Sequence, residues 1–208
     1  MKKITYVLIV LFLVSCGNSN IPDDIKWNIR KETPNEVLKK DNIEVELNKK
    51  VDKKILKEIA LEIRKNRKKY DNLWIFYYIP NMTDGMAWAT THFTPDLEIK
   101  ILGSTEIQDK KTSQTSDIKG EILGKWRSEK SLMGGTLILY KNQNNKLIMR
   151  IKFKNGGKME NEIKTSKMNG LTRYDDGNKH GEYYILETNG NLGMYGKDGK
   201  FDEAVKIK

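Results

Sequence analysis

The chain has 208 residues, with 38 Lys+Arg against 28 Asp+Glu and a formal net charge of +10. It carries one Cys and two His, which excludes an internal disulfide and leaves any zinc site dependent on carboxylates gathered from distant segments. Its length makes one ordinary domain or two small ones.

Residues 1–15 have the three parts of an export signal: Lys2 and Lys3, then an apolar core from Ile4 to Leu13, then a short approach to Cys16. That core of roughly ten residues is too short to cross a bilayer, which takes about 20. The stretch Leu13-Val14-Ser15-Cys16-Gly17 resembles the lipobox of bacterial lipoproteins. The resemblance implies diacylglycerol on the Cys16 sulfur, cleavage just before it and acylation of the new amino group. A thiolate is the strongest nucleophile available for such a transfer. Two or three acyl chains hold firmly where one holds only marginally. The implied location is extracytoplasmic, lipid-anchored to the cell membrane or the outer membrane, with Gly17 rather than an aspartate favouring the latter. Such a chain meets no nucleic acid, so its basic excess points to anionic head groups, acidic polymers or a solvated surface. Nothing in the sequence calls for a cofactor.

Residues 16–34 read as a flexible tether, polar and marked by Pro22 and Pro34, with Ile21, Ile25, Trp27 and Ile29 as isolated apolar points. Residues 35–103 read as an α+β domain, one helix on an antiparallel meander. Ile43, Val45 and Leu47 alternate with Glu44 and Glu46 as in a half-buried strand. A helix follows over 52–69, with Asp52 as N-cap, Val51 stapled to Leu56, and Leu56, Ile59, Ala60 and Ile63 forming one stripe. Its other faces are basic, offering a protein partner or an anionic surface a contact, or simply meeting water. Strands are expected over 73–79, 86–93 and 97–102. The run Trp88-Ala89-Thr90-Thr91-His92-Phe93-Thr94-Pro95 resembles a segment of uncharacterised bacterial envelope proteins, a likeness that implies no activity. Thr90, His92 and Asp96 are the nearest approach to a hydrolytic cluster, but strand alternation sets Thr90 and His92 about 7 Å apart, beyond a hydrogen bond.

Residues 104–120 are polar and read as an inter-domain linker. Residues 121–208 read as an all-β domain of about eight short strands, over 122–129, 135–141, 146–154, 158–165, 171–174, 182–187, 192–195 and 201–207, separated by Asn-Gly, Asp-Gly and Gly-Gly turns. Closure into a small barrel or a rolled meander would remove the exposed edges. Gly124-Lys125-Trp126 resembles the Gly-x-Trp signature of lipocalin-like barrels, which implies a tryptophan plugging a barrel floor. Trp126, Met149 and Tyr183 are then candidate contacts for a small apolar ligand, or else plain packing residues. Asp175, Asp176 and Asn178 beside His180 lack calcium-loop spacing and read as a hairpin tip. The expected function is a lipid-anchored envelope protein with a non-enzymatic interaction or structural role. The alternatives are a tethered carrier of an apolar ligand and a hydrolase using the Thr90/His92 region.

Overall fold

A computed structural model describes residues 20–82 and 85–208. The expected signal segment and Cys16 lie outside them. The first strand, β1 (Trp27–Asn35), pairs antiparallel with β2 (Lys40–Leu47), and a crossover through α1 (Lys53–Lys65) brings β3 (Asn72–Tyr78) back parallel to β2. Strands β4 (Ala89–Phe93) and β5 (Leu97–Ile101) complete a five-stranded sheet in sequence order. The expected three-stranded antiparallel meander is β3–β5, and the strand before the helix joins it as a parallel neighbour of β3. A helix between two strands returns the chain to the starting end, and that favours parallel neighbours.

The tether expected over 16–34 is corrected, because Trp27 onward is strand. Trp27 and Ile29 turn to the helix side opposite Leu47 and Val45, while the outer half of β1 is exposed and polar. An edge strand accepts Pro34 because one side of its ladder is unpaired.

Asp52 caps α1 by accepting the Ile55 amide N–H at 2.8 Å. The stripe Leu56, Ile59, Ala60 and Ile63 is buried against Ile43, Val45, Leu73 and Ile75. The helix ends at Lys65 rather than the expected residue 69. Beyond it the Arg67 guanidinium turns back to the Glu32 carboxylate at 2.8 and 2.9 Å.

The segment expected as a linker is structured. Thr105 and Gln108 form a capping box that starts α2 (Glu106–Thr112). Ser104 and Thr112 are buried, and the Thr136 hydroxyl meets that of Thr112 at 2.9 Å. The signal Thr-x-x-Gln was present, but a single short helix of polar residues has almost no apolar periodicity to announce it.

The second sheet has nine strands: β6 (Gly120–Ser128), β7 (Gly135–Asn142), β8 (Leu147–Lys152), β9 (Lys158–Glu162), β10 (Lys164–Met168), β11 (Leu171–Asp175), β12 (Tyr183–Leu186), β13 (Leu192–Gly196) and β14 (Gly199–Lys206). Their spatial order is β10-β11-β12-β13-β14-β6-β7-β8-β9. The two edge strands are consecutive in the chain, joined through the buried Ile163, whose amide N–H donates to the Leu147 carbonyl at 2.8 Å. One expected strand, 158–165, is thus two, bent at Ile163 so that its halves serve opposite ends of the sheet, a corner of the kind that lets a sheet fold over on itself. The result is a curled, half-barrel sheet around one cluster that draws Trp126, Leu137, Met149, Tyr174, Tyr184, Leu192 and Met194 from strands along its whole width.

Candidate functional site

Four aliphatic side chains at the margin of the first core, Ile25, Val51, Ile55 and Ile101, are only half-buried. They line a groove of about 620 Å³ whose far lip is the N-terminal turn of α2, where Ile107 is 80% exposed. Its near wall is the segment from Pro22 to Ile25, which closes a turn through the Ile25 amide N–H and the Pro22 carbonyl at 3.0 Å. Asn48 holds that segment in place: its side-chain amide donates to the Asp24 carbonyl and its Oδ1 accepts from the Lys26 amide, both at 2.9 Å. Position along the chain thus explains little here. Residues from 22–25, 49–55, 101 and 105–107 converge because β1 and α1 begin, and β2 and β5 end, at one edge of the molecule.

The charges around the groove cancel. Lys49 pairs with Asp24 and holds that carboxyl below its usual range. Lys50 turns inward to Asp109 at 2.7 Å, Glu129 at 2.9 Å and the Ser104 hydroxyl at 2.8 Å. Arg127 adds a second cation 3.4 Å from Asp109, so two cations and two anions meet in a largely buried cluster that joins the loop before α1 to α2 and the end of β6. Burial pushes the Glu129 carboxyl above its usual range, against the pull of Lys50. The same junction is tightened by Gly134, at φ +88°, where a Cβ would stand 1.7 Å from the Ser104 hydroxyl. Lys154 adds hydrogen bonds to the Leu102 and Gly103 carbonyls.

The described lining of the groove holds no His, Cys or Ser, and the Thr105 hydroxyl already accepts the Gln108 amide N–H at 3.3 Å. The arrangement lacks an activated nucleophile with its base. It suits an apolar occupant, at a volume within the roughly 300–1,000 Å³ of small-molecule sites.

The residues singled out by sequence fall elsewhere. Trp126 and Met149 are both in the second core. Trp126 donates its indole N–H to the Gly190 carbonyl at 2.8 Å, and its ring lies over Gly124, where a Cβ would stand 2.2 Å from the ring edge. The Gly-x-Trp pair is thus explained by packing: the glycine makes room for the indole. Tyr183 is not brought to them. It stacks on Tyr195 at 5.4 Å with Arg173 over its ring at 3.7 Å, on the opposite side of β12 from the core residue Tyr184.

His92 stacks on Trp74 at 4.9 Å, on the sheet face away from α1, with Lys40 on the other side of that indole at 3.9 Å. Burial lowers the His92 imidazole pKa, and its Nε2 has no hydrogen-bond partner. Thr91 turns to the other face and bonds the Tyr77 hydroxyl at 3.0 Å. The Thr90/His92 pair forms no base–nucleophile contact.

On α1, Lys53, Lys54 and Lys57 are exposed, while Arg64 donates to the Tyr70 carbonyl at 2.6 Å and so serves the fold. Among the described residues, no three His, Cys, Asp or Glu are placed to hold a metal, and no helix is long and apolar enough to cross a membrane. No protein-family model matches the chain, and neither a curated protein nor a solved structure is recognisably similar to it.

Proposed function

We propose that this is a lipid-anchored cell-envelope protein that works by binding rather than by catalysis, with Cys16 as the acylated residue and the two sheets as one body held at the membrane. The observation that supports this reading most directly is the apolar groove. It opens beside Pro22, six residues beyond Cys16, and carries aliphatic walls with balanced charge and no free nucleophile. An attached body with an open apolar groove at its leading end presents that surface to whatever the anchor brings near. The exposed lysines at the start of α1 lie on the same edge and suit anionic head groups.

The test is metabolic labelling of the full chain with palmitate, comparing the wild type with Cys16→Ser. The wild type is expected to take up label and sediment with membranes, and the serine variant to take up none. Equal label and equal sedimentation for both would overturn the assignment.

A further inference from the structure

We infer that the groove formed by the 22–25 segment, the start of α1 and the start of α2 seats one of the acyl chains carried by Cys16. This rests on the anchor reading above and goes beyond it, since an anchor needs only the bilayer.

Reach is the first of three grounds. Six residues from Cys16 to Pro22 span at most about 20 Å, so every chain on Cys16 begins within that distance of the groove wall. The second is chemistry. Ile25, Val51, Ile55 and Ile101 belong to the first core yet stay half-buried, and Ile107 is 80% exposed on the lip. A methylene chain asks these walls for no hydrogen bonds, and much of the polar lining is already engaged: Thr105 with Gln108, Asp52 with the Ile55 amide N–H, Lys49 with Asp24 and Lys50 with Asp109, while Lys53 and Glu106 are exposed at the rim.

The third is free-energy balance. Moving a chain from the bilayer interior into an apolar groove leaves its own hydrophobic transfer nearly unchanged, while the groove walls lose their contact with water. Two chains left in the bilayer still satisfy the requirement for firm attachment. The seated chain would also draw this edge of the body down to the membrane and fix its orientation there, with Lys53 and Lys54 toward the head groups.

Cells expressing the full chain are fed a palmitate analogue bearing a diazirine, irradiated, and the protein is digested for mass spectrometry. The expected result is label on Cys16 together with intramolecular cross-links from the Cys16 peptide to peptides containing Ile55, Ile101 or Ile107. Ile107→Glu, an exposed position that the fold does not need, is expected to keep the Cys16 label. Its cross-link yield should fall by about tenfold or more, because a carboxylate would have to lie against methylenes. Label on Cys16 with cross-links to lipid alone, or an undiminished yield in Ile107→Glu, would overturn the inference and leave the anchor intact. Groove cross-links in Cys16→Ser would overturn it differently, by showing that a phospholipid chain is the occupant. A wild type with no label on Cys16 would remove the anchor reading itself.

Discussion

In the five-stranded sheet a helix does the covering, and the core beneath it is mainly aliphatic, with Ile43, Leu56, Ile59, Leu73 and Ile75 fully buried beside Tyr77 and Trp88. The nine-stranded sheet covers itself: β9 and β10 turn at Ile163, and strands from opposite ends share a core richer in aromatics and methionine, with Trp126, Tyr174, Tyr184, Met149 and Met194. A helix of 13 residues is only about 20 Å long, so it shields the middle of a sheet and leaves a margin. That margin is where Ile25, Val51, Ile55 and Ile101 remain half-covered. The curled sheet leaves its half-covered residues, Leu132, Leu147, Phe153 and Leu186, around its own core instead of beneath a helix. The groove is the consequence of covering a sheet with one short helix.

The comparison breaks first where the two halves are joined. Lys50→Ala removes the cation shared by Asp109 and Glu129 and strands Glu129, whose Oε2 already has no partner. The expected loss is about 3–5 kcal/mol, the usual cost of removing one partner from a buried ion pair. Urea titration followed by far-ultraviolet circular dichroism measures it. A change below about 1 kcal/mol would mean that each sheet is stable without the lock.

The next test compares the cores directly. Leu56→Ala and Met149→Ala each delete a buried side chain, and each should cost about 2–5 kcal/mol. Leu56 is expected toward the upper end, because it is held between α1 and a rigid aliphatic sheet. Met149 is expected toward the lower end, since the flexible neighbour Met194 can shift into part of the space. The same titrations rank them, and the reverse order would mean that the curled sheet is the more tightly packed of the two.

This difference also decides what could be read in advance. Helix α1 was legible because Leu56, Ile59, Ala60 and Ile63 announce their face at helical spacing, and β2, β3 and β5 because their apolar residues alternate or run together. The strands of the curled sheet were legible from their turns, apart from the bend at Ile163, a single apolar residue between polar neighbours. Strand β1 and helix α2 were read as tether and linker because most of their residues meet water, and burial is what periodicity reports. For Trp126 the sequence leaves ligand contact and plain packing both open, and Gly124 two residues before it is where the indole packs. The groove had no signature at all, because no two of its walls are neighbours in a common pattern. The deepest ionic cluster, Lys50 with Asp109, Arg127 and Glu129, was hidden for the same reason among many surface lysines.

The smallest expected effect contrasts the two buried charges. In the second sheet Arg150 is satisfied, facing Asp117 at 2.9 Å and Glu160. In the first, Asp41 is completely buried, neither of its oxygens has a hydrogen-bond partner, and Arg67 stands 3.6 Å off while being committed to Glu32. Burial first, and Glu32 second, push the Asp41 carboxyl up to about 6. Glu32 moves the other way, held below its usual range by Arg67. A carboxyl with a raised native pKa binds its proton more tightly when folded, so between pH about 4 and about 6 the folded state holds more protons than the unfolded one. Stability from this group is therefore full below pH 4 and lost as the pH rises through 6, about 3 kcal/mol for a rise from 3.8 to about 6, of which the lowered Glu32 pKa cancels a part. Asp41→Asn should flatten the slope in that window and leave the variant at least as stable as the wild type at pH 7, because an amide in the same place carries no charge to bury. Urea midpoints taken at pH 4, 5, 6 and 7 decide it. An asparagine variant with the same slope as the wild type would show that Arg67 compensates Asp41 after all and that both cores hold their charges equally well.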